Sequence, residues 1–277
     1  MQNIVTKYDG TQELFDEEKI RQSLSNAGAD NNAIEKALKN IKKNLTEYIP
    51  SKKIYSIAVR TLQKQQPLTA IKYSLKKSML DLGPDGFVFE RFMAKVLAAH
   101  GYRTRVGTFV EGFCVGHEVD IIAEKNSSHI MIECKYHNNP GIKSDIKIAL
   151  YVNARYQDLK KAGMAGKCDY DFSEGWLATN TKCTSQAIDY ANCSGLGIVA
   201  WHYPHHKNLE YYIESKGIYP VSILPGLKPH QKIKLFEKGI YTIQDLLENN
   251  PDAIASYLGI NTEITGKIFA NAAMLFT

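Results

Sequence analysis

The sequence has no paired cysteines and no apolar run long enough to cross a bilayer. Its five cysteines, in a chain of 277 residues, include no Cys-x-x-Cys pair, which argues against a disulfide framework and against a zinc ribbon. No hydrophobic run approaches the roughly 20 residues that a membrane span requires, and the amino terminus lacks the basic and then apolar order of a signal peptide. We therefore expect a cytoplasmic protein with no membrane partner.

The sequence also lacks a Gly-x-x-x-x-Gly-Lys-Ser/Thr loop, so ATP hydrolysis by the P-loop mechanism is not expected. Hydrophobic residues make up 44% of the chain and charged residues 23%, as in an ordinary globular protein with room for two or three domains. Positive charge is uneven: residues 1–82 carry 14 Lys and Arg against 9 Asp and Glu, whereas residues 83–277 carry 20 of each. A basic segment can bind nucleic acid or a nucleoside triphosphate, or it can be a solvated surface.

Two predicted strands form a hairpin near the middle of the sequence. The strands are Gly116–Ile122 and Ile130–Lys135, with a polar turn centred on residues 126–127. An antiparallel register that closes at this turn sets Asp120 opposite Glu133, with the side chains roughly 5 Å apart.

The chemistry of this hairpin follows from its charges. Lys135, two residues after Glu133, shares the same face of its strand. Like charges that lie opposite each other are unfavourable unless a cation lies between them, and a hard divalent cation suits two carboxylates. The pattern indicates metal-assisted hydrolysis of a phosphodiester, in which the lysine stabilises developing negative charge.

These residues resemble a known nuclease signature. Asp120, followed by Glu133-Cys134-Lys135 on the next strand, is similar to the PD-(D/E)XK pattern in its Mrr-like restriction endonuclease form, with Val119 where that family usually has proline. The resemblance implies that Asp120 and Glu133 ligate Mg²⁺ or Mn²⁺ and that Lys135 acts on the phosphate or the water. It also implies a DNA substrate and a restriction or defence role.

A helix is predicted just before the hairpin, after the breaker run Gly83–Gly86. Its apolar positions at i, i+3, i+4, i+7 and i+8 form one buried stripe, which consists of Phe89, Phe92, Met93, Val96 and Leu97. Glu90 lies beside this stripe. In the nuclease family the helix before the hairpin often donates a glutamate, so the resemblance makes Glu90 a third catalytic and metal-binding residue, with Glu118 as an alternative.

The first segment reads as a β-hairpin followed by helices. Ile4–Lys7 and Gln12–Phe15 flank an Asp-Gly turn, and Asp16 stands at the N-cap of a helix that ends near Gly28. Further helices are predicted over Asn31–Leu45, Ser51–Gln65 and Thr69–Asp81.

This order resembles the ATP-cone, a nucleotide-sensing module of ribonucleotide reductases. The matching positions are Val5, Lys7, Asp9, Gly10, Phe15, Lys19, Ile20, Ser51, Tyr55, Ala70, Tyr73 and Lys76 or Lys77. The resemblance implies that ATP or dATP binds as a regulatory nucleotide and that the chain forms a homo-oligomer, as cones commonly pair. The implied nucleotide contacts are Lys7, Glu13, Asp16, Lys19, Ser51, Tyr55 and Lys76. The family's usual Lys-Arg pair is Lys7-Tyr8 here, so one phosphate-directed charge is missing.

Beyond the hairpin, helix and strand patterns alternate. Helices are predicted over Ser144–Ala162 and Thr184–Cys193, and strands over Gly175–Thr179 and Leu196–Trp201, which favours a mixed sheet covered by helices on both faces. The run 179–181, Thr-Asn-Thr, resembles the Mrr-like pattern and is a further site candidate.

Two sets of histidines leave alternatives open. His202, His205 and His206 indicate either a solvated loop or a metal site, and their irregular spacing favours the loop. His137 has either an auxiliary catalytic role or a structural one.

The last segment has a helical pattern, with helices predicted over Pro229–Lys238, Thr242–Asn249, Pro251–Gly259 and Asn261–Leu275. Their Gly-Ile junctions resemble helix-hairpin-helix or SAM-like modules. In such modules backbone amides grip DNA phosphates, and a role in protein interaction or oligomerisation is the open alternative.

The sequence thus predicts an α/β multidomain protein. Its domains are an ATP-cone (residues 1–82), a restriction-endonuclease-like domain (residues 83–216) and an all-α module (residues 217–277). The predicted function is metal-dependent endonucleolytic cleavage of DNA, regulated by ATP or dATP. The alternative is a nucleotide-responsive DNA-binding regulator with an inactive nuclease fold.

Overall fold

The computed structural model describes residues 3–276, which divide into two compact units. The first unit runs as far as Asp81 and includes Val221–Lys234 and the chain from Ile243 onward. The second unit consists of Leu82–Pro220 and Leu235–Thr242.

A small sheet begins the first unit. Strand β1 (Ile4–Thr6) pairs antiparallel with β2 (Gln12–Leu14), and the turn between them contains Gly10 at a φ of +80°, which favours glycine. The predicted hairpin is confirmed. Strand β3 (Tyr48–Pro50), which was not predicted, runs parallel to β1.

Helices follow the hairpin in the order α1 (Glu17–Asn26), α2 (Asn31–Lys43), α3 (Ser51–Gln65), α4 (Pro67–Tyr73) and α5 (Leu75–Ser78). Asp16 caps α1 as predicted, because its carboxylate accepts hydrogen bonds from the backbone N–H of Glu18 and Lys19. The single helix predicted over residues 69–81 is wrong, since it is broken at Ser74. The Ser74 hydroxyl donates to the carbonyl of Ala70 at 3.0 Å, and such bonds compete with the helical backbone ladder.

Helices α2 and α3 pack together over the core of this part of the unit. The inner side of α2 presents Ile34, Leu38 and Ile41, and α3 presents Ala58 and Leu62; all five side chains are buried. Their spacing of three or four residues is that of an amphipathic helix, so the opposite sides of both helices face solvent.

The second unit contains the central sheet. Its elements are α6 (Phe87–Ala99), β4 (Arg103–Glu111), β5 (Gly116–Lys125), β6 (Ser128–Lys135), β7 (Lys143–Ser144), α7 (Ile146–Met164), β8 (Phe172–Thr179), β9 (Lys182–Cys183), α8 (Ser185–Ser194), β10 (Gly197–Val199) and α9 (Leu209–Glu214). In the described chain the strand order is β10-β8-β6-β5-β4. Strands β4, β5 and β6 form an antiparallel meander, whereas β6, β8 and β10 are parallel. The mixed α/β fold is confirmed.

The turn between β5 and β6 sets the register of the predicted hairpin. Asn126 and Ser127 have φ values of 52° and 62°, the left-handed conformation of a tight two-residue turn. Ile121 therefore lies opposite Ile132. Helix α6 packs on β4 and β5, and its predicted apolar stripe is fully buried.

The chain after Pro220 is helical. A short 3₁₀ helix (Val221–Ile223) precedes α10 (Pro229–Glu237), α11 (Ile243–Leu247), α12 (Pro251–Leu258) and α13 (Thr262–Phe276). These helices are close to those predicted. The start of a separate all-α module at residue 217 stays a prediction. Between residues 3 and 276 no helix combines the length and apolarity needed to cross a membrane.

Candidate active site and nucleotide-binding residues

Two carboxylates meet where β5 begins and β6 ends. The pairing of Ile121 with Ile132, carried one residue further, brings Asp120 opposite Glu133. The backbone N–H of Cys134 donates a hydrogen bond to Asp120 Oδ2 at 2.7 Å, which fixes the Asp120 carboxylate against β6. Both carboxylates lie partly buried in the sheet edge.

The carboxylate of Glu90, on α6, joins this pair. Burial, and then the charges of Asp120 and Glu118, raise the pKa of Glu90 to about 7. Burial and the Asp120 charge likewise raise the pKa of Glu133 to about 7, although Arg155 and Lys135 oppose the shift. The pKa of Asp120 is also raised, mainly by burial. Burial and mutual repulsion therefore both favour the neutral forms of these carboxyl groups.

Lys135 ends β6 two residues after Glu133, and its side chain is exposed. Its charge is felt by both carboxylates, since it lowers the pKa of Asp120 and of Glu133. The structure thus brings together all four residues predicted for the catalytic site: Asp120, Glu133, Lys135 and Glu90. Their roles stay predictions.

Arg155, on α7, is a site residue that the sequence reasoning missed. Its Nη1 donates to Glu133 Oε2 at 2.5 Å, and its Nη2 donates to the carbonyl of Glu118. The Arg155 side chain is 10% exposed, and its guanidinium lies 5.3 Å from the ring centre of Tyr151. No sequence signal pointed to Arg155, because its contact with Glu133 depends on how α7 crosses the sheet.

These donors suit a hard divalent cation, because they are carboxylate oxygens that lie close to one another. Arg155 takes one oxygen of Glu133 and leaves the other for a ligand. Within residues 3–276, however, no three His, Cys, Asp or Glu side chains are already arranged around a metal position.

A hydrogen-bonded cluster joins the end of β6 to the end of β8. The backbone N–H of His137 donates to Asn180 Oδ1 at 2.9 Å, and Asn180 Nδ2 donates to the His137 carbonyl at 2.8 Å. His137 Nε2 lies 3.1 Å from the hydroxyl of Ser144, which donates to Thr179 Oγ1. Strand β6 ends before His137, so this histidine does not continue the face of Glu133 and Lys135. Its contacts are those of a structural residue, and the buried run 179–181 closes the cluster.

The predicted loop histidines lie outside the helices and strands of the second unit. His202 Nδ1 is 3.4 Å from Glu210, and the rings of His205 and His206 meet edge to face at 4.6 Å. This arrangement agrees with the loop interpretation.

The nucleotide-binding candidates form two groups in the first unit. In the first group, the Glu13 carboxylate on the hairpin forms ion pairs with Lys7 at 2.7 Å and with Lys19, in α1, at 3.4 Å. The hydrogen bond from Lys7 lowers the pKa of Glu13, although burial opposes it. Asp16, beside this group, is used as the helix cap.

The second group lies where α3 meets α4 and α5. The Tyr55 hydroxyl donates to Ser74 Oγ at 3.0 Å, and its ring stacks on Tyr73 with ring centres 5.5 Å apart. Burial raises the pKa of Tyr55, and the Tyr8 phenol adds to this shift, so the hairpin turn lies near Tyr55. Ser51 begins α3, and Lys76 belongs to α5.

Comparison with known proteins gives matches over both parts of the chain. The family described as ATP cone domain matches residues 3–79, and the family described as Restriction endonuclease matches residues 83–205. An uncharacterized protein of Archaeoglobus fulgidus is 33% identical over 180 residues, which are 65% of this chain and 97% of that protein. A crystal structure of a protein of unknown function is 30% identical, with a TM-score of 0.56, over 69% of this chain and 98% of that chain. The four predicted catalytic residues fall within the second family match.

Proposed function

Because this chain belongs to the restriction endonuclease family and carries an ATP cone domain, we propose that it is a metal-dependent endonuclease that hydrolyses DNA phosphodiester bonds. The observation that carries the proposal is the meeting of Asp120 and Glu133 at one edge of the sheet, with Lys135 beside them. Two acceptors for a cation and one donor for an anion are the groups that phosphodiester hydrolysis needs.

Asp120 and Glu133 would hold Mg²⁺ or Mn²⁺, with Glu90 as an additional ligand. A bound metal ion supplies positive charge that polarises the phosphate and lowers the pKa of a coordinated water. The exposed ammonium of Lys135, at the end of β6, would contact the phosphate or position the attacking water. Arg155 orients Glu133 through its 2.5 Å hydrogen bond and holds the start of β5 through the carbonyl of Glu118.

ATP or dATP is proposed as the regulatory nucleotide of the first unit. Lys7, Lys19 and Lys76 provide charges for a triphosphate, and lysines serve this purpose as mobile point charges. The carboxylates of Glu13 and Asp16 suit the ribose or base, and Ser51 and Tyr55 lie on the helix opposite the hairpin turn. Because Lys7 and Lys19 are paired with Glu13 in the free protein, nucleotide binding requires these ion pairs to rearrange.

Regulation requires the nucleotide to favour one of two arrangements of the protein. A homo-oligomer of chains would provide such arrangements, and two active sites in one assembly would also account for cleavage of both DNA strands. A role in restriction or defence is part of this proposal.

The test is cleavage of supercoiled plasmid by the parent chain and by Asp120→Asn and Lys135→Gln. Both variants are expected to lose cleavage while keeping the fold, since asparagine keeps an oxygen that can accept the Cys134 N–H and the Lys135 side chain is exposed. Asp169→Asn is the matched control, because Asp169 is an exposed carboxylate of the same unit outside the site. A parent chain that leaves plasmid intact would instead favour the DNA-binding regulator with an inactive nuclease fold.

A further inference from the structure

The first unit contains a long stretch of sequence with only positive charge. Residues 48–80 include seven Lys and Arg and not one Asp or Glu. All of these residues belong to β3, α3, α4, α5 and their connections. An ordinary solvated surface mixes both signs of charge, so this stretch differs from the rest of the chain.

Three of the four cations of α3 lie on one side of the helix. Lys53, Arg60 and Lys64 lie within about 40° of one another around the axis at 100° per residue, and all three are exposed. Ser51 and Tyr55, the nucleotide-binding candidates of α3, lie about 140° or more away around the same helix. The exposed cations are therefore separate from the proposed nucleotide contacts.

Helix α2 has a similar row of cations. Lys36, Lys39 and Lys43 are exposed and lie within about 60° of one another around the axis. The buried residues Ile34 and Ile41 occupy the other side of α2. Each of the two helices thus has one apolar side in the core and one cationic side in solvent.

Two hydrogen-bonded contacts bring these rows side by side. Gln66, just after α3, donates from Nε2 to Oδ2 of Asp30, just before α2, at 2.6 Å. Farther along both helices, Asn40 Nδ2 donates to Thr61 Oγ1 at 3.0 Å. Residue numbers increase along α2 from one contact to the other while they decrease along α3, so the two helices run antiparallel.

The two rows of cations flank the line of contact between the helices. Asn40 lies among the lysines of α2, and Thr61 lies between Arg60 and Lys64 in the sequence of α3. We call these six side chains the basic face: Lys36, Lys39, Lys43, Lys53, Arg60 and Lys64.

The carboxylates of the first unit do not neutralise the basic face. Glu13 pairs with Lys7 and Lys19, and Glu17 pairs with Arg21 and Lys42. Glu35, which precedes Lys36 on α2, pairs with Arg21 at 2.6 Å. Over the part of the chain that the structure describes, no ion pair joins any of the six basic-face cations to a carboxylate. Their charges are thus directed to solvent and to any polyanion that approaches.

We infer that the basic face binds the sugar-phosphate backbone of duplex DNA, an inference that rests on the proposed function insofar as DNA is the substrate. Along α3 the cations extend over about 16 Å, at 1.5 Å per residue, which spans about five phosphates of one strand at 3.4 Å each. Neither helix exposes an aromatic side chain on this face, so it has no stacking platform for single-stranded bases. The contact is therefore to phosphates and independent of sequence.

Such a contact supplies affinity and not cleavage. The catalytic carboxylates repel a polyanion in the absence of metal, whereas the basic face attracts one with or without metal. DNA that is held by the first unit raises the local concentration of substrate for the second unit of the same chain or assembly. The basic face should therefore lower KM and leave the rate at saturating DNA little changed.

The test is equilibrium binding of a short fluorescent duplex to the full chain in EDTA, measured by anisotropy over a range of salt concentrations. The test variant combines Lys43→Gln, Arg60→Gln and Lys64→Gln. The control variant removes the same charge by Lys42→Gln, Arg103→Gln and Lys267→Gln, three exposed cations that pair with carboxylates. Thermal melting of both variants checks that the fold is intact.

The test variant is expected to bind duplex at least about tenfold more weakly than the control at low salt. Its slope of log K against log salt should be smaller by about 2 to 3, at about 0.9 per lost phosphate contact. Equal affinity and equal slope for parent, test and control chains would overturn the inference. Loss of binding to phosphatidylserine vesicles with unchanged DNA binding would also overturn it, in favour of a membrane surface.

Binding and cleavage fail separately in this design, because EDTA removes catalysis. If the parent chain does not cleave plasmid but the test variant still loses DNA affinity, the basic face stands and the proposed nuclease function fails. If the parent cleaves plasmid and all three chains bind DNA alike, the nuclease function stands and the basic face is wrong.

Discussion

At the residue scale, Arg155 determines how much of the negative charge in the candidate active site is offset. It lies against Glu133 with little access to solvent, where Coulomb interactions are much stronger than in water. Its second bond, to the Glu118 carbonyl, ties α7 to the residue two positions before Asp120. One side chain therefore supports both strands of the site.

Arg155→Gln is expected to lower the free energy of unfolding by about 2 to 4 kcal/mol, because it removes a buried charge pair and leaves Glu133 without its partner. Chemical denaturation measures this loss. The matched control is Arg103→Gln, whose side chain is 82% exposed beside Glu124 and whose loss should cost at most about 1 kcal/mol. Equal effects of the two substitutions would show that the Arg155 pair contributes nothing special.

Asp158 makes stability depend on pH at the acid end. Burial raises the pKa of its carboxyl, but hydrogen bonds from His117, Cys114 and Val115 outweigh burial and lower the pKa from 3.8 to about 2. A folded-state pKa below the unfolded value stabilises the protein above pH 4, and this contribution is lost as the pH falls from about 4 to about 2.

We expect Asp158→Asn to have a lower Tm than the parent at neutral pH and the difference to shrink between pH 4 and pH 2. Melting curves over this pH range are the measurement. A difference that stays constant down to pH 2 would contradict the assigned role of the Asp158 charge.

At the element scale, the loop between β4 and β5 is fixed by close backbone contact. A Cβ on Gly112 would lie 2.2 Å from Asp158 Oδ2 and 2.2 Å from the Val115 carbonyl oxygen. The carbonyl belongs to the backbone, so a side-chain rotation does not relieve the clash. The loop connects directly to β5, which carries Asp120.

Gly112→Ala is expected to cost about 1 to 3 kcal/mol of stability, the usual range for an overpacked site. Gly266→Ala is the control, because a Cβ there meets nothing within 4 Å and alanine favours the interior of α13 by up to about 1 kcal/mol. The two substitutions should therefore change the free energy of unfolding in opposite directions. An unchanged free energy of unfolding for Gly112→Ala would contradict the close contacts around Gly112.

Apolar periodicity and element length decide which helices and strands could be predicted from the sequence. The strands β5 and β6 and the stripe of α6 were predicted because apolar periodicity and a polar turn coincide there. Strand β4 was missed because it is an edge strand in which only Val110 is buried, so its apolar alternation is weak. Strand β3 has three residues, too few for any period.

The candidate site was predictable where its residues are close in sequence. Asp120, Glu133 and Lys135 share one hairpin, whose register follows from the turn. Arg155 was not predictable in this way, because its contact with Glu133 depends on how α7 crosses the sheet. The break at Ser74 was missed because a single serine, whose hydroxyl donates to the carbonyl of Ala70, interrupts an otherwise helical pattern.

At the scale of the whole molecule, nucleotide binding in one unit is proposed to regulate cleavage in the other. ATP or dATP should raise the Tm of the parent chain, since a ligand at 100 times its Kd stabilises the folded state by about 2.7 kcal/mol. Lys7→Gln is expected to reduce this shift. The control is Lys42→Gln, which also breaks an ion pair of the first unit but lies outside the proposed contacts. A shift of the same size in both variants would argue against the hairpin site.

The most direct test of the central claim is the rate of plasmid cleavage as Mg²⁺ is titrated, for the parent chain, Asp120→Asn and Asp169→Asn. The account predicts that cleavage by the parent and by Asp169→Asn rises from nothing to a plateau with Mg²⁺. It predicts no cleavage by Asp120→Asn at any Mg²⁺ concentration. Cleavage by Asp120→Asn at the rate of the parent, or cleavage by the parent in EDTA, would contradict the claim that these carboxylates form a metal-dependent nuclease site.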